Sequence, residues 1–96
     1  MGQKPSRVTK HAIKRYMGRV HKGRRLRERH IVERIRQMLK RGYPVATTRR
    51  NQAVLESKLH DGRVFYLIYG NDSVITIVTA SMFEESLRRS DYRLIS

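Results

Sequence analysis

From residue 53 to residue 79 the chain alternates runs of β-branched and aromatic residues with short polar breaks. The runs are residues 53–59, 64–69 and 74–79. The breaks are His60-Asp61-Gly62-Arg63 and Gly70-Asn71-Asp72-Ser73. Gly and Asn tolerate the positive φ of tight turns, so the pattern predicts an antiparallel meander. The middle run is apolar at every position, which places it centrally with both faces buried. The first run alternates apolar and polar residues, which suits an edge strand with one wet face.

The first half of the chain carries a helical period instead. Thr9 is placed to cap a helix reaching to about Val20. At about 100° per residue, Ile13, Tyr16, Met17 and Val20 share one face, while His11, Lys14, Arg15, Gly18 and Lys22 share the other. A linker containing Gly23 leads to a second helix from about Leu26 to Arg41, with Ile31, Val32, Ile35, Met38 and Leu39 as its apolar stripe. Leu26 falls off that stripe, so packing is expected to begin near Glu28. Gly42 and Pro44 end this helix. Residues 44–48 read as a short strand. Arg49-Arg50-Asn51-Gln52 reads as a basic turn, and Ser81-Met82-Phe83-Glu84 as a capping box opening a helix from about Met82 to Arg89. In that helix Met82, Phe83 and Leu87 are expected to pack inward. Residues 91–96 read as a docked extended tail. The predicted class is α+β: an N-terminal helical hairpin packed on one face of a three- to four-stranded antiparallel meander, with a short C-terminal helix. Residues 1–8 form a basic arm and residues 9–96 a single domain.

Composition limits the rest. Ninety-six residues bury about 60–65% of their unfolded surface, enough for one modest core. The absence of cysteine rules out disulfides and thiolate zinc sites. No apolar run reaches the roughly 18–20 residues that span a bilayer, and no apolar core follows Met1-Gly2-Gln3-Lys4-Pro5, so a cytoplasmic protein without membrane contact is expected. Net charge is +14 and uneven: residues 1–50 hold 17 basic and 2 acidic side chains, residues 51–96 hold 5 and 6. Arginines outnumber lysines 16 to 6, and the planar guanidinium fork suits phosphate. A cationic excess this concentrated points to nucleic acid, ahead of an acidic protein partner or a merely solvated face.

The chemistry compatible with these residues is narrow. His11, His21, His30 and His60 include no i, i+4 pair, so neither a metal nor a cofactor is expected. Nucleophile-elbow and phosphate-loop motifs are absent. RNA cleavage by its own 2′-hydroxyl needs only an in-line strand, proton transfer and neutralised phosphorane charge. His11 and Arg15 lie one turn apart on a helix, Arg63 opens the central strand and Thr79, with Ser81, ends the last one. These make His11, Arg15, Arg63 and Thr79 the candidate catalytic set. Lys14, Arg19, Lys22, Arg24, Arg25, Arg49 and Arg50 are the candidate nucleic-acid contacts. Each has a plainer role available: His11 as a surface histidine, Arg63 as a shield for a strand end, Tyr16 and one of Tyr66 and Tyr69 as core. His60 at its turn is a further, weaker candidate.

The run Val8-Thr9-Lys10-His11-Ala12-Ile13-Lys14-Arg15-Tyr16-Met17-Gly18-Arg19-Val20, with its His-Ala-x-x-Arg-x-x-x-Arg pattern, and the closing Ile75-Thr76-Ile77-Val78-Thr79 resemble small bacterial and phage domains of the RelE/ParE/BrnT-like toxin superfamily. That group belongs with metal-independent ribonucleases, including barnase-like and colicin-like folds. Element order carries the resemblance over residues 8–80; only the first helix and the last strand match residue by residue. It implies two helices on an antiparallel sheet, RNA in a basic groove, functional roles for His11, Arg15 and Thr79, and an acidic antitoxin. Active sites vary within the superfamily, and some members inhibit gyrase. Three readings follow: an RNA-cleaving toxin or phage endoribonuclease working without metal, a non-catalytic RNA- or DNA-binding or ribosome-associated factor, and an inhibitor of a host machine.

Overall fold

The computed structural model describes residues 6–21, 23 and 26–95. Among them lie a six-stranded mixed sheet and three α-helices. The strands are β1 (Arg7–Val8), β2 (Tyr43–Thr48), β3 (Ala53–Lys58), β4 (Val64–Gly70), β5 (Ser73–Thr79) and β6 (Tyr92–Leu94). Their spatial order is β1-β5-β4-β3-β2-β6, with β1 parallel to β5 and the other pairs antiparallel. The helices are α1 (Lys10–Arg15), α2 (Glu28–Arg41) and α3 (Ala80–Arg88), and a π turn (Tyr16–Val20) continues α1.

The chain is α+β, but the expected arrangement is corrected in several places. The sheet has six strands, not three or four, and one edge pairing is parallel. Helices cover both faces. Ala12, Tyr16, Val20, Ile31, Ile35 and Met38 pack on Phe65, Leu67, Val74 and Ile77, while Phe83 of α3 packs on Ala46, Val54, Tyr66, Ile68 and Val78. This two-sided cover explains the continuous apolar run of β4, in which Phe65, Tyr66, Leu67 and Ile68 are all buried. Val74 and Ile77 share a face although three residues apart, because a bulge opposite Ile68 and Tyr69 inserts Ile75. The turn between β4 and β5 has Asn71 and Asp72 at φ 51 and 58, the double positive φ of a tight hairpin that these two side chains tolerate.

The first arm of the expected helical hairpin is also different. Thr9 does cap α1, accepting from the Ala12 amide at 3.1 Å. After Arg15 the winding widens, and the His21 amide reaches back five residues to the Tyr16 carbonyl at 2.9 Å. Four residues of α-helix overshoot a full turn by about 40°, so Ala12, Tyr16 and Val20 would drift around the axis. The wider turn removes that drift, and all three are buried. The other arm, α2, begins at Glu28 rather than Leu26.

The basic arm has its residues 1–5 outside the described ones. Arg7 and Val8 pair with Ser73 and Val74. Beyond this short pairing Thr9 Oγ1 donates to the Ile75 carbonyl at 2.8 Å and Arg19 Nη1 to the Ile77 carbonyl at 2.6 Å. Side chains of α1 and its π extension thus occupy a strand edge that would otherwise invite pairing. At the other edge, the tail forms β6 on β2. The capping box at Ser81 is not used: Thr79 caps α3, accepting from the Met82 amide at 3.2 Å, and Met82 is an exposed apolar residue.

β3 is an interior strand, not the edge its alternation suggested. Its polar residues have partners instead of water. Glu56 accepts hydrogen bonds from Tyr43 and Tyr66. The fully buried Ser57 donates to the Met38 carbonyl at 2.9 Å, one of the last four carbonyls of α2 that have no partner within the helix. Ser57→Ala is expected to cost about 1–3 kcal/mol, because a buried acceptor loses its partner; a urea midpoint equal to wild type would contradict this.

The Glu56 cluster sets a pH dependence. Burial first, then the Glu56 hydrogen bond, push the Tyr66 hydroxyl up to about 12. The hydrogen bonds from Tyr43 and then Tyr66 hold the Glu56 carboxyl below its ordinary value. The fold favours protonated Tyr66, so this stabilisation is complete below the unfolded value of about 10 and disappears as pH rises toward about 12. Depressed Glu56 acts in the opposite direction, stabilising above its unfolded value of about 4 and failing as pH falls. Relative to Tyr66→Phe, wild-type protein is expected to lose stability between about pH 10 and 12; parallel melting curves for the two over that window would contradict the assignment.

Candidate nucleic-acid interface and cleft

Because α1 and α2 bury one stripe each on the same sheet face, their outward faces share one side of the molecule. Lys10, His11, Lys14, Arg27, Arg29, Arg34, Lys40 and Arg41 are all exposed there. Among the described residues the ion pairs are Arg49–Asp91, Arg63–Asp61, Arg88–Glu85 and Arg89–Glu85. None of these draws on a cation of α1 or α2. Three of the six acids of residues 51–96, Asp61, Glu85 and Asp91, are thus paired with cations outside α1 and α2, and the helical layer keeps a net positive charge, with Glu28 and Glu33 its acids.

This layer borders a cleft of about 400 Å³. One wall is the C-terminal half of α2, with Arg34, Gln37 and Arg41. A second is the end of the π turn, with Tyr16, Val20 and His21. The third is the β3–β4 hairpin, with Ser57, Lys58, His60, Asp61 and Arg63. Arg41 Nη2 lies 2.8 Å from His60 Nε2. A guanidinium can only donate, so Nε2 carries the lone pair and Nδ1 the proton. Gly62 at φ 89 lets the hairpin turn sharply beside His60. Asp61 accepts from the Arg63 backbone amide at 3.0 Å and from its guanidinium Nε at 2.7 Å. These bonds, the backbone one first, hold the Asp61 carboxyl below its usual value. Arg63 Nη1 also donates to the Val20 carbonyl at 2.9 Å, tying the hairpin to the π turn.

Of the four catalytic candidates from the sequence, Arg63 alone lines this cleft. His11 and Arg15 are adjacent, Arg15 Nε donating to His11 Nε2 at 3.4 Å on the outer face of α1. His11 lies nine residues and Arg15 five residues before Val20, the start of the cleft wall on the π turn being Tyr16. Thr79 is committed to capping α3. Among the nucleic-acid candidates, Lys14 and Arg50 are exposed. Arg49 is paired with Asp91 at 3.5 Å, and Arg19 is held on the β5 edge, where burial first, then Arg15, lowers its pKa. Lys22, Arg24 and Arg25 lie outside the described residues. The cleft also brings in His21, Arg34 and Arg41, which carried no local signal, and Tyr16, which was expected to be core alone. Among the described residues no three His, Asp or Glu side chains are grouped to hold a metal ion, and no helix is long and apolar enough to cross a membrane.

Thr79→Ala is expected to cost about 1 kcal/mol through the lost cap of α3; a urea midpoint equal to wild type would contradict the capping role.

No protein-family model matches the chain, and no curated protein or solved structure is significantly similar to it.

Proposed function

We propose that the protein is an RNA-binding endoribonuclease of the RelE/ParE/BrnT-like kind that works without metal. The observation that carries this reading is the cleft in which His21 and His60 meet Arg34, Arg41 and Arg63 beside an unneutralised cationic layer. Single-stranded RNA lies across α1 and α2, held by Lys14, Arg34 and neighbouring cations, and His11 with Arg15 contacts the same strand. One phosphodiester enters the cleft and draws Arg41 away from His60. The freed His60 Nε2 takes the proton from the 2′-hydroxyl as that oxygen attacks phosphorus. His21 donates a proton to the departing 5′-oxygen as the P–O5′ bond breaks. The guanidinium groups of Arg34, Arg41 and Arg63 balance the phosphorane charge. The products are a 2′,3′-cyclic phosphate and a 5′-hydroxyl end. An acidic antitoxin-like protein that covers the cationic layer would be the natural restraint on such an activity.

A second reading, binding without cleavage, draws on the Arg41–His60 contact, which already occupies the proposed base. Incubation of purified protein with single-stranded RNA in excess EDTA decides between them. Loss of full-length RNA is the expected result. Intact RNA held in a salt-sensitive complex would leave the binding reading, and RNA neither bound nor cut would sink both.

A further inference from the structure

The cleft contains a hydroxyl for which the fold itself has no use. Resting on the ribonuclease reading, we infer that Tyr16 contacts the substrate, its hydroxyl donating a hydrogen bond to a non-bridging oxygen of the RNA phosphodiester bound in the cleft.

Tyr16 is the most deeply buried of the five tyrosines, 5% exposed. Buried tyrosine hydroxyls ordinarily find a partner. Tyr66 donates to Glu56 at 2.7 Å and Tyr69 is 3.0 Å from the Ser6 hydroxyl; Tyr43 also bonds Glu56. The Tyr16 hydroxyl bonds to no described residue. Among the described residues no polar side-chain atom sealed from solvent lacks a partner, so this hydroxyl reaches solvent, and the cleft is where Tyr16 is lined up to do so. Tyr16 belongs to the same buried core cluster as Val20, Ile35, Met38 and Phe65, and close packing there limits the freedom of its ring. A rigid ring with a free donor at its tip is a preorganised contact.

What it would contact follows from its neighbours. Arg34, Lys58, Arg41 and Arg63 supply donors and positive charge. Asp61, the one acid lining the cleft, is taken up by Arg63. The group missing from the cleft is therefore an anionic oxygen acceptor. A phosphodiester supplies two, and negative charge builds on them as the 2′-oxygen attacks, so the bond strengthens toward the transition state. Were the ring needed only as packing, phenylalanine would serve without burying a polar atom.

Tyr16→Phe keeps the ring and removes the hydroxyl. With a defined single-stranded RNA, kcat is expected to fall about 10- to 100-fold, the range for a hydrogen bond to a charged group, with KM within about twofold. The melting temperature should be equal to or above that of wild type. A phosphorothioate substrate supplies the readout that a structural role would not move. Sulfur accepts hydrogen bonds poorly, so the penalty of Tyr16→Phe should shrink on one of the two diastereomers. A variant as fast as wild type, or one with the same penalty on both diastereomers and on the normal substrate, overturns the Tyr16 contact alone. Wild-type protein that leaves RNA intact overturns the ribonuclease reading and takes this inference with it.

Discussion

Replacing His60 by alanine is expected to slow RNA cleavage by about 100- to 10,000-fold, the usual contribution of a positioned acid–base group. The side chain is exposed at the tip of the β3–β4 hairpin, so its loss should change folding stability by no more than about 0.5 kcal/mol. Binding should barely change, because Arg34, Lys58 and Arg41 remain. The same substitution at His11 is expected to alter cleavage by less than about threefold, since that imidazole lies on the outer face of α1 beside Arg15 and not in the cleft; such surface changes are usually small. Initial rates for both variants on one RNA, with melting curves as a control, check the contrast. Strong loss at His11 with an active His60→Ala protein would move the chemistry to the helix-one pair that the sequence first indicated.

Leu67→Ala is expected to be the most destabilising single truncation of the core. Leu67 sits at 0% exposure in the middle of β4, paired with Leu55 on one side and Ile77 on the other. Its side chain belongs to the core cluster beneath the α1–α2 layer, together with Tyr16, Ile35 and Met38. Deleting it combines lost transfer energy with a cavity that a strand bonded on both edges is poorly placed to collapse, about 3–5 kcal/mol in all. A domain of this size loses about 4–8 °C per kcal/mol, so the midpoint should fall by about 12–40 °C. Marginal domains hold only about 5–15 kcal/mol in total, so partial unfolding at 37 °C would follow. A thermal melt within about 3 °C of wild type would contradict the packing described for the helical layer.

Local patterns in the chain revealed its local structure. The apolar continuity of β4, the Asn71-Asp72 turn, the Thr9 cap and the Gly42 stop each depend on a few neighbouring residues. Features decided by distant partners were misread or missed. Glu56 looked like the wet side of an edge strand, yet two tyrosine hydroxyls from β2 and β4 satisfy it within the sheet. Arg7 and Val8 carry no strand pattern, and their parallel pairing with β5 depends on where the helical layer delivers the arm. Ser81 and Thr79 can both cap a helix, and the extended backbone at Thr79, φ −79 and ψ 167, decides between them. The π turn follows from keeping Ala12, Tyr16 and Val20 inward together, a demand set by the sheet below. The cleft was the least legible part. His21, Arg34, Arg41 and His60 come from three separate parts of the chain, and it takes the packing of α2 on β3 and on the π turn, with the Arg63–Val20 hydrogen bond, to bring them together. The charge asymmetry, by contrast, needed no fold to be read, and none of the ion pairs among the described residues, at Asp61, Glu85 and Asp91, draws on a cation of α1 or α2.

The central claim is that the outward face of α1 and α2 grips a phosphodiester chain. Its most direct test is the affinity for a 2′-O-methyl RNA, which cannot be cut, measured as salt is raised. Five phosphate contacts would release enough counterions to weaken binding about 100-fold between about 50 and 200 mM salt, with a smaller slope for an Arg34→Ala, Arg41→Ala double variant. Affinity that stays constant over that range, or a slope the double variant leaves unchanged, would contradict the account.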